Sequence, residues 1–274
     1  MSVLLALIAS PKEKALIESL ERGCLPYLSS NFFHKASCFV LENNVKRSEI
    51  NRLVCDSIGF LTGHKFILPP FAHWDEATWR NLSSGCDEIV ECALGWDITD
   101  FGSGDFQRIG LIMFTLRNGC LKNEKYAKPY AEKVLITQEE QVTPFHFHWK
   151  KMEDIINRGG GNLLVQVYNA TADGDFDQTP VNVSLDGRRQ FVNAGAILRL
   201  KPGESITLPP GQYHKFWGEK NTGPVFLGEV STVNDDTVDN RFYEPVGRFP
   251  DIDEDEKPTH LLSIEYKQAF IRQP

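Results

Sequence analysis

The stretch His146-Phe147-His148-Trp149-Lys150-Lys151-Met152-Glu153 places two histidines and a glutamate, all metal-ligating residue types, within eight residues. On a β-strand, residues two apart face the same side, so the two imidazoles point one way while Phe145 and Phe147 point the other. That spacing makes His146 and His148 a pair of ligands for one metal. Glu153 lies an odd number of positions further on and reaches the same centre only if the chain turns or bulges between Trp149 and Met152. Two structurally satisfied strand histidines would look the same in sequence, so the metal reading needs support from elsewhere in the chain.

Outward from this stretch the chain is β-type. RIGLIMFTLR (108–117), KVLIT (133–137), NLLVQVY (162–168), AILRLK (196–201) and PVFLGEVS (224–231) are short apolar runs. They are separated by turn chemistry such as Asp186-Gly187 and Pro202-Gly203. Many short strands with close turns predict a sandwich or barrel. Before them, Ile50, Leu53, Val54 and Ile58 form one apolar stripe of a helix starting near Lys46, and Asp75 caps a second short helix in WDEATWRNL. Residues 1–44 show no lasting periodicity. With no internal repeat and no linker after residue 45, the chain reads as an N-terminal extension (1–45) and one domain (46–274).

The formal charge of -8, without a cluster of five Lys or Arg, gives no electrostatic footprint for nucleic acid or an anionic membrane. A small-molecule ligand is the better match. The six cysteines show no CxxC pair, and the apolar run LLALIA (4–9) lacks a basic flank and is far too short to span a bilayer. Reduced thiols in a cytoplasmic protein are expected.

A second segment, Pro209-Pro210-Gly211-Gln212-Tyr213-His214, changes the weight of the first. HxH, four residues, Glu, six residues, Gly, and later PxGxxH together resemble the two-part signature of the cupin superfamily. The resemblance implies a mainly β fold, a cupin double-stranded β-helix or jelly-roll barrel, here with a few N-terminal helices. It also implies one divalent metal on His146, His148, Glu153 and His214. Two positions depart from the usual pattern: Glu140 stands where a Gly is common, and Gly218 where an Asn is common. Neither carries a ligand. Three imidazoles and one carboxylate suit Mn, Fe, Co or Zn and leave open positions on an octahedral ion, where a hydroxy-carbonyl compound could chelate.

Longer segments narrow the resemblance. KRSEIN (46–51), LPPFAHW (68–74), LGWDITDFGSGDF (94–106), LRNG (116–119), residues 143–170 and residues 231–256 closely resemble D-lyxose ketol-isomerases. Such membership implies interconversion of D-lyxose and D-xylulose, and of D-mannose and D-fructose, usually with manganese and as a homodimer. It places Lys151 on a lysine proposed to act in catalysis. Glu244, in RFYEP, is the match for the acid/base glutamate, with Glu229 the competing choice. A carboxylate raised in pKa by partial burial suits the proton transfer between C2 and C1, and Lys151 near a cation suits the transfer between O1 and O2.

Cupin dioxygenases and decarboxylases use the same ligand set, and a non-catalytic sugar-binding cupin needs neither Lys151 nor a poised glutamate. Those remain the rival readings. The family's usual start falls near Val45, so residues 1–44 are expected to be either an over-extended gene start or an N-terminal arm. Asp173, Asp175 and Asp177 mimic a calcium loop, but Gln178 stands where its Gly belongs and Ser184 where its closing Glu belongs, so a solvated turn is expected. Gly159 to Gly161 read as close backbone packing, and Trp74, Trp96, Trp149 and Trp217 as core rather than sugar-pocket residues. His64, His73 and His260 have no partner spacing.

Overall fold

A 17-residue helix, α1 (Arg47–Gly63), opens the domain after a two-residue strand β1 (Val45–Lys46). Its buried Ile50, Leu53, Val54, Ser57 and Leu61 recur at helical spacing and form a single stripe. A computed structural model describes residues 45–81, 85–233, 235, 238–248 and 252–267; the N-terminal extension, apart from Val45, lies outside them. Two short helices follow, α2 (Glu76–Asn81) and α3 (Asp87–Glu91). Asp75 caps α2 as expected, its Oδ1 accepting from the Thr78 N–H at 2.7 Å.

The strands then run β2 (Gly95–Thr99), β3 (Leu111–Arg117), β4 (Tyr130–Thr137), β5 (Val142–His148), β6 (Glu153–Gly160) and β7 (Leu163–Ala170). They continue with β8 (Phe176–Asp177), β9 (Val181–Leu185), β10 (Arg188–Val192), β11 (Ile197–Leu200), β12 (Ser205–Leu208) and β13 (Gln212–Gly218). The last three are β14 (Val225–Thr232), β15 (Asn240–Phe242) and β16 (Ile252–Asp253). Eight strands in the order β10-β9-β12-β6-β14-β4-β3-β2 form one sheet. Six more form the other, β11-β7-β13-β5-β15 with β8 on the edge of β7. All pairs within both sheets are antiparallel.

Strand alternation explains how the sheets face each other. Every second residue is buried throughout β6, and in β7 from Leu163 to Val167. Ile155, Leu163, Val165 and Val167 join Leu135, Phe216, Val225 and Leu227 in an apolar cluster between the two sheets. β14 is buried on both faces from Val225 to Glu229. The reason is that α1 covers the outside of the large sheet, packing with Ile98, Ile112, Phe114, Val134, Ile136 and Phe226 in a second cluster. The result is a two-sheet jelly roll with a helical outer layer.

Two turns show the local chemistry. Asp186 and Gly187 both have positive φ, 49° and 77°, and join β9 to β10 in the hairpin their sequence predicts. Glu140, at the position where a Gly is common, has a φ of 58°. That left-handed conformation is what a glycine there would supply without strain.

The ends of the domain are tied together. β1 pairs in parallel with β16 through Val45 and Ile252. The Arg47 guanidinium, fully buried, is held by Glu254 at 2.7 Å and by Glu265. Asn51 donates to the Lys257 carbonyl at 2.9 Å and accepts from the Thr259 N–H at 2.9 Å.

Candidate metal centre

β5, β6 and β13 bring the candidate ligands together. His146 stands opposite His214 in the register of β5 and β13, and His148 lies two residues along the same face. Glu153 starts β6 after a tight turn over residues 149–152. The turn is fastened by Asp239, whose carboxylate accepts from the Lys150 and Lys151 N–H groups, both at 2.9 Å, and whose carbonyl accepts from Trp149 at 3.0 Å. This is the change of direction that the odd spacing of Glu153 demands. His146, His148, Glu153 and His214 are all buried, and one ligand atom from each lies within 4.8 Å of the others.

Each imidazole is oriented through Nδ1. His146 donates to the Pro144 carbonyl at 2.8 Å, His148 to Asn240 Oδ1 at 2.8 Å, and His214 to the Gln212 carbonyl at 3.1 Å. With the proton on Nδ1, the Nε2 lone pair is left facing inward. The buried Nε2 atoms of His148 and His214 have no hydrogen-bond partner among the described residues. Yet Glu153 Oε1 lies 3.3 Å from the first and 3.0 Å from the second. Two lone-pair donors converging on an anionic oxygen are unfavourable alone and are what a divalent cation resolves. The donor set fits an ion that accepts mixed nitrogen and oxygen ligands.

Charge reinforces that fit. Burial, followed by neighbouring His214 and His148, holds His146 well below the ordinary histidine value of 6.5, in the neutral form that coordinates metals. Burial pushes the Glu153 carboxyl up, but the Lys151 ammonium and the histidines reverse this and hold it well below the usual carboxylate range.

Beside the ligands runs a chain of alternating charges. Lys151 Nζ is 2.6 Å from Glu153 Oε2 and 3.0 Å from Glu229 Oε1, and Lys133 Nζ is 3.5 Å from the same Glu229 oxygen. All four side chains are buried. Leaving one such charge without its partner typically costs about 3–5 kcal/mol, so the group is held as a set.

These residues line a cavity of about 930 Å³, within the range that encloses a small ligand. Its aromatic lining is Phe101, Phe216 and Phe242; no tryptophan reaches it. Trp96 is core, donating to the Ala72 carbonyl, and Trp149 is exposed. Arg248 pairs with Asp97 in the cavity wall, and Lys122 meets Asp235 at 2.9 Å, also in the lining.

The structure brings Lys151 into the site and leaves Lys150 exposed. It separates the two candidate acid/base carboxylates. Glu229 faces the cavity from β14, whereas Glu244 is exposed just beyond β15 and lines no part of the cavity. Strand β15 ends at Phe242, so no alternation carries the next residues inward. Lys133, Asp239 and Asn240 escaped the sequence reading. For Lys133 the signal was present: in KVLIT it shares a strand face with Leu135, and a lysine at an inward position is unusual.

The remaining expectations also find their places. Gly160 has a φ of 78° and meets the Pro224 carbonyl so closely that a Cβ would lie 2.2 Å from its oxygen. Asp173 and Asp175 are exposed, and the described residues hold no other cluster of His, Cys, Asp and Glu built like a metal site. Cys55, Cys86, Cys92 and Cys120 are free thiols; Cys24 and Cys38 lie outside the described residues.

Comparison with known proteins then decides the family. Residues 45–266 match the family model described as D-lyxose isomerase. The chain is 52% identical over 223 residues to the D-lyxose/D-mannose isomerase of Serratia proteamaculans, covering 81% of this chain and 98% of that protein. The D-lyxose/D-mannose isomerase of Escherichia coli O157:H7 is 49% identical over 225 residues, covering 82% of this chain and 99% of that protein.

The chain belongs to the D-lyxose isomerase family.

It is accordingly an intramolecular oxidoreductase of the aldose–ketose isomerase class. Solved structures agree on the fold. An L-ribose isomerase of Cellulomonas parahominis superposes with a TM-score of 0.52 at 15% identity, over 77% of this chain and 100% of that one. A Glu→Gln variant of the Acinetobacter sp. DL28 L-ribose isomerase, in complex with L-ribose, gives 0.53 at 15% identity, over 77% and 99%. The isomerase thus has the cupin-type architecture, with its ligand candidates on two adjoining strands of the smaller sheet, β5 and β13, and on β6 of the larger.

Proposed function

We propose that this isomerase interconverts D-lyxose and D-xylulose, and D-mannose and D-fructose, in a metal-dependent reaction through a cis-enediol. The observation that carries the reading is the Lys151 ammonium poised between Glu153 Oε2 and Glu229 Oε1, at 2.6 and 3.0 Å. His146, His148, Glu153 and His214 would hold one divalent ion, with manganese the favoured metal. When bound, that ion supplies positive charge that polarises the sugar oxygens.

The protein's own groups account for the protons. Glu229, rather than the exposed Glu244, is our choice for the base that takes the proton from C2 and returns it to C1. Lys151 gives a proton to the carbonyl oxygen O1 and takes one from O2, so both residues end as they began. Lys133 stays beside Glu229 through the exchange, so a negative Glu229 keeps a cation while Lys151 acts elsewhere.

Free thiols at the four described cysteines, and no described helix long and apolar enough to cross a membrane, support a cytoplasmic enzyme. The family resemblance supports a homodimer, with residues 46–274 as the catalytic domain.

The test is ketose formation from D-lyxose and D-mannose by metal-stripped protein, with and without added manganese, and with His146→Ala as control. Xylulose or fructose appearing only with metal and only in the unaltered protein is the expected result. No ketose with any divalent metal would overturn the proposal.

A further inference from the structure

Thr143 lies three residues before His146, at the other end of β5 from the turn that carries Lys151. Its side chain is 2% exposed and it lines the same cavity as the metal ligands. Its Oγ1 has no hydrogen-bond partner among the described residues. The surroundings supply none: its register partner on β13 is Phe216, and Phe216 and Leu111, which also line the cavity, belong to the apolar cluster between the sheets. A buried hydroxyl left unpaired costs about 1–3 kcal/mol, so a position that keeps one is matched to something that enters.

Position defines what that is. β5 bulges between the two, three of its residues opposing two of β13, so Thr143 keeps the side of His146 and stands roughly 7 Å from it along the strand. An open-chain aldose with C1 and C2 beside the histidines reaches across that distance with its distal carbon chain and one hydrogen bond. We propose that Thr143 is a specificity-determining residue, its hydroxyl binding one substrate hydroxyl remote from C1 and C2. This rests on the sugar-isomerase reading above and adds which part of the sugar the cavity reads. A lone hydroxyl on an apolar wall discriminates strongly, because a sugar lacking the matching group leaves it unpaired.

The experiment compares the manganese-loaded wild type, Thr143→Val and Thr143→Ser on D-lyxose, D-mannose and a series of their monodeoxy analogues at C4, C5 and C6. It adds thermal unfolding of each protein without sugar. Valine keeps the shape and removes the hydroxyl. The expected result is a KM raised about tenfold in Thr143→Val, with a smaller change in kcat, and largely restored by Thr143→Ser. One deoxy analogue should show equal kcat/KM for wild type and Thr143→Val, since the contact is already absent. Without sugar, Thr143→Val should unfold no lower than wild type.

An unchanged KM in Thr143→Val, or the same wild-type to Thr143→Val ratio on every analogue, would overturn the proposal. So would a lower melting temperature of Thr143→Val without sugar, which would show that the hydroxyl has a structural partner. A wild type that makes no ketose sinks the isomerase reading and this one with it; an active wild type with an indifferent Thr143→Val sinks this one alone.

Discussion

Lys133 on β4 and Glu229 on β14 stand directly opposite each other in the antiparallel register, and their charges meet 3.5 Å apart in the buried wall of the cavity. Glu229 therefore has two cations, since Lys151 approaches the same oxygen at 3.0 Å. Lys133→Met removes one and leaves the other. The expected cost is about 2 kcal/mol of unfolding free energy, below that of stranding a buried charge entirely. Adding Glu229→Gln to Lys133→Met should recover part of that loss. Denaturant unfolding of the two single variants and the double variant checks it; strictly additive losses would mean the two side chains do not interact.

The two glutamates make opposite predictions. Glu229→Gln keeps the shape of a group inside the cavity and removes its capacity to take a proton, so kcat should fall by about 10²–10⁴ with intact metal content. Glu244→Gln alters an exposed side chain outside the cavity and should retain activity. Steady-state kinetics on D-lyxose distinguish them, and the reverse pattern would restore Glu244 as the base.

Asn240 orients a candidate metal ligand, accepting the His148 Nδ1 proton at 2.8 Å. Asn240→Ala should weaken metal affinity by about 10–100-fold, because the imidazole loses the contact that fixes its tautomer and tilt. Competition with a chelator of known affinity measures this. At saturating manganese, turnover should largely return.

The metal-stripped protein should lose stability on mild acidification. The pKa of His146 is well below 6.5 in the folded protein and ordinary in the unfolded one. Between those values the unfolded chain binds more protons, so stability rises with pH there. It is full above pH 6.5 and declines as pH falls below it, by up to about 1.4 kcal/mol per pH unit for this group. Glu153 acts in the same direction at lower pH: its lowered pKa adds stability that is present above the ordinary 4.5 and fails only below it. Urea unfolding from pH 8 to pH 5 should show a histidine slope, flattened in His146→Ala.

Legibility in the sequence followed the periodicity. HxH on β5 was readable because strand alternation alone puts both rings on one side, and the Glu153 offset announced a turn. The device that makes the turn, Asp239, was not readable, because it is 88 positions from Lys151 and nothing local connects them. Which of Glu229 and Glu244 faces the cavity was hard to read for a related reason. Glu229 shares the inward parity of Val225 and Leu227, while Glu244 follows the end of a three-residue strand where parity has no meaning. Lys133 opposite Glu229 is a matter of register between strands almost a hundred residues apart, which only pairing reveals.

The bond between Arg47 and Glu254 spans 207 residues. During synthesis at about 5–20 residues per second, α1 leaves the ribosome roughly 10–40 s before the acids that neutralise its buried guanidinium. The nascent helix must wait with that charge solvated and its apolar stripe uncovered. Ser263 and Lys267, from the same late segment, complete the cavity lining. The cavity is thus among the last things this chain can build, and an incompletely translated copy would own the candidate metal ligands without the full lining around them.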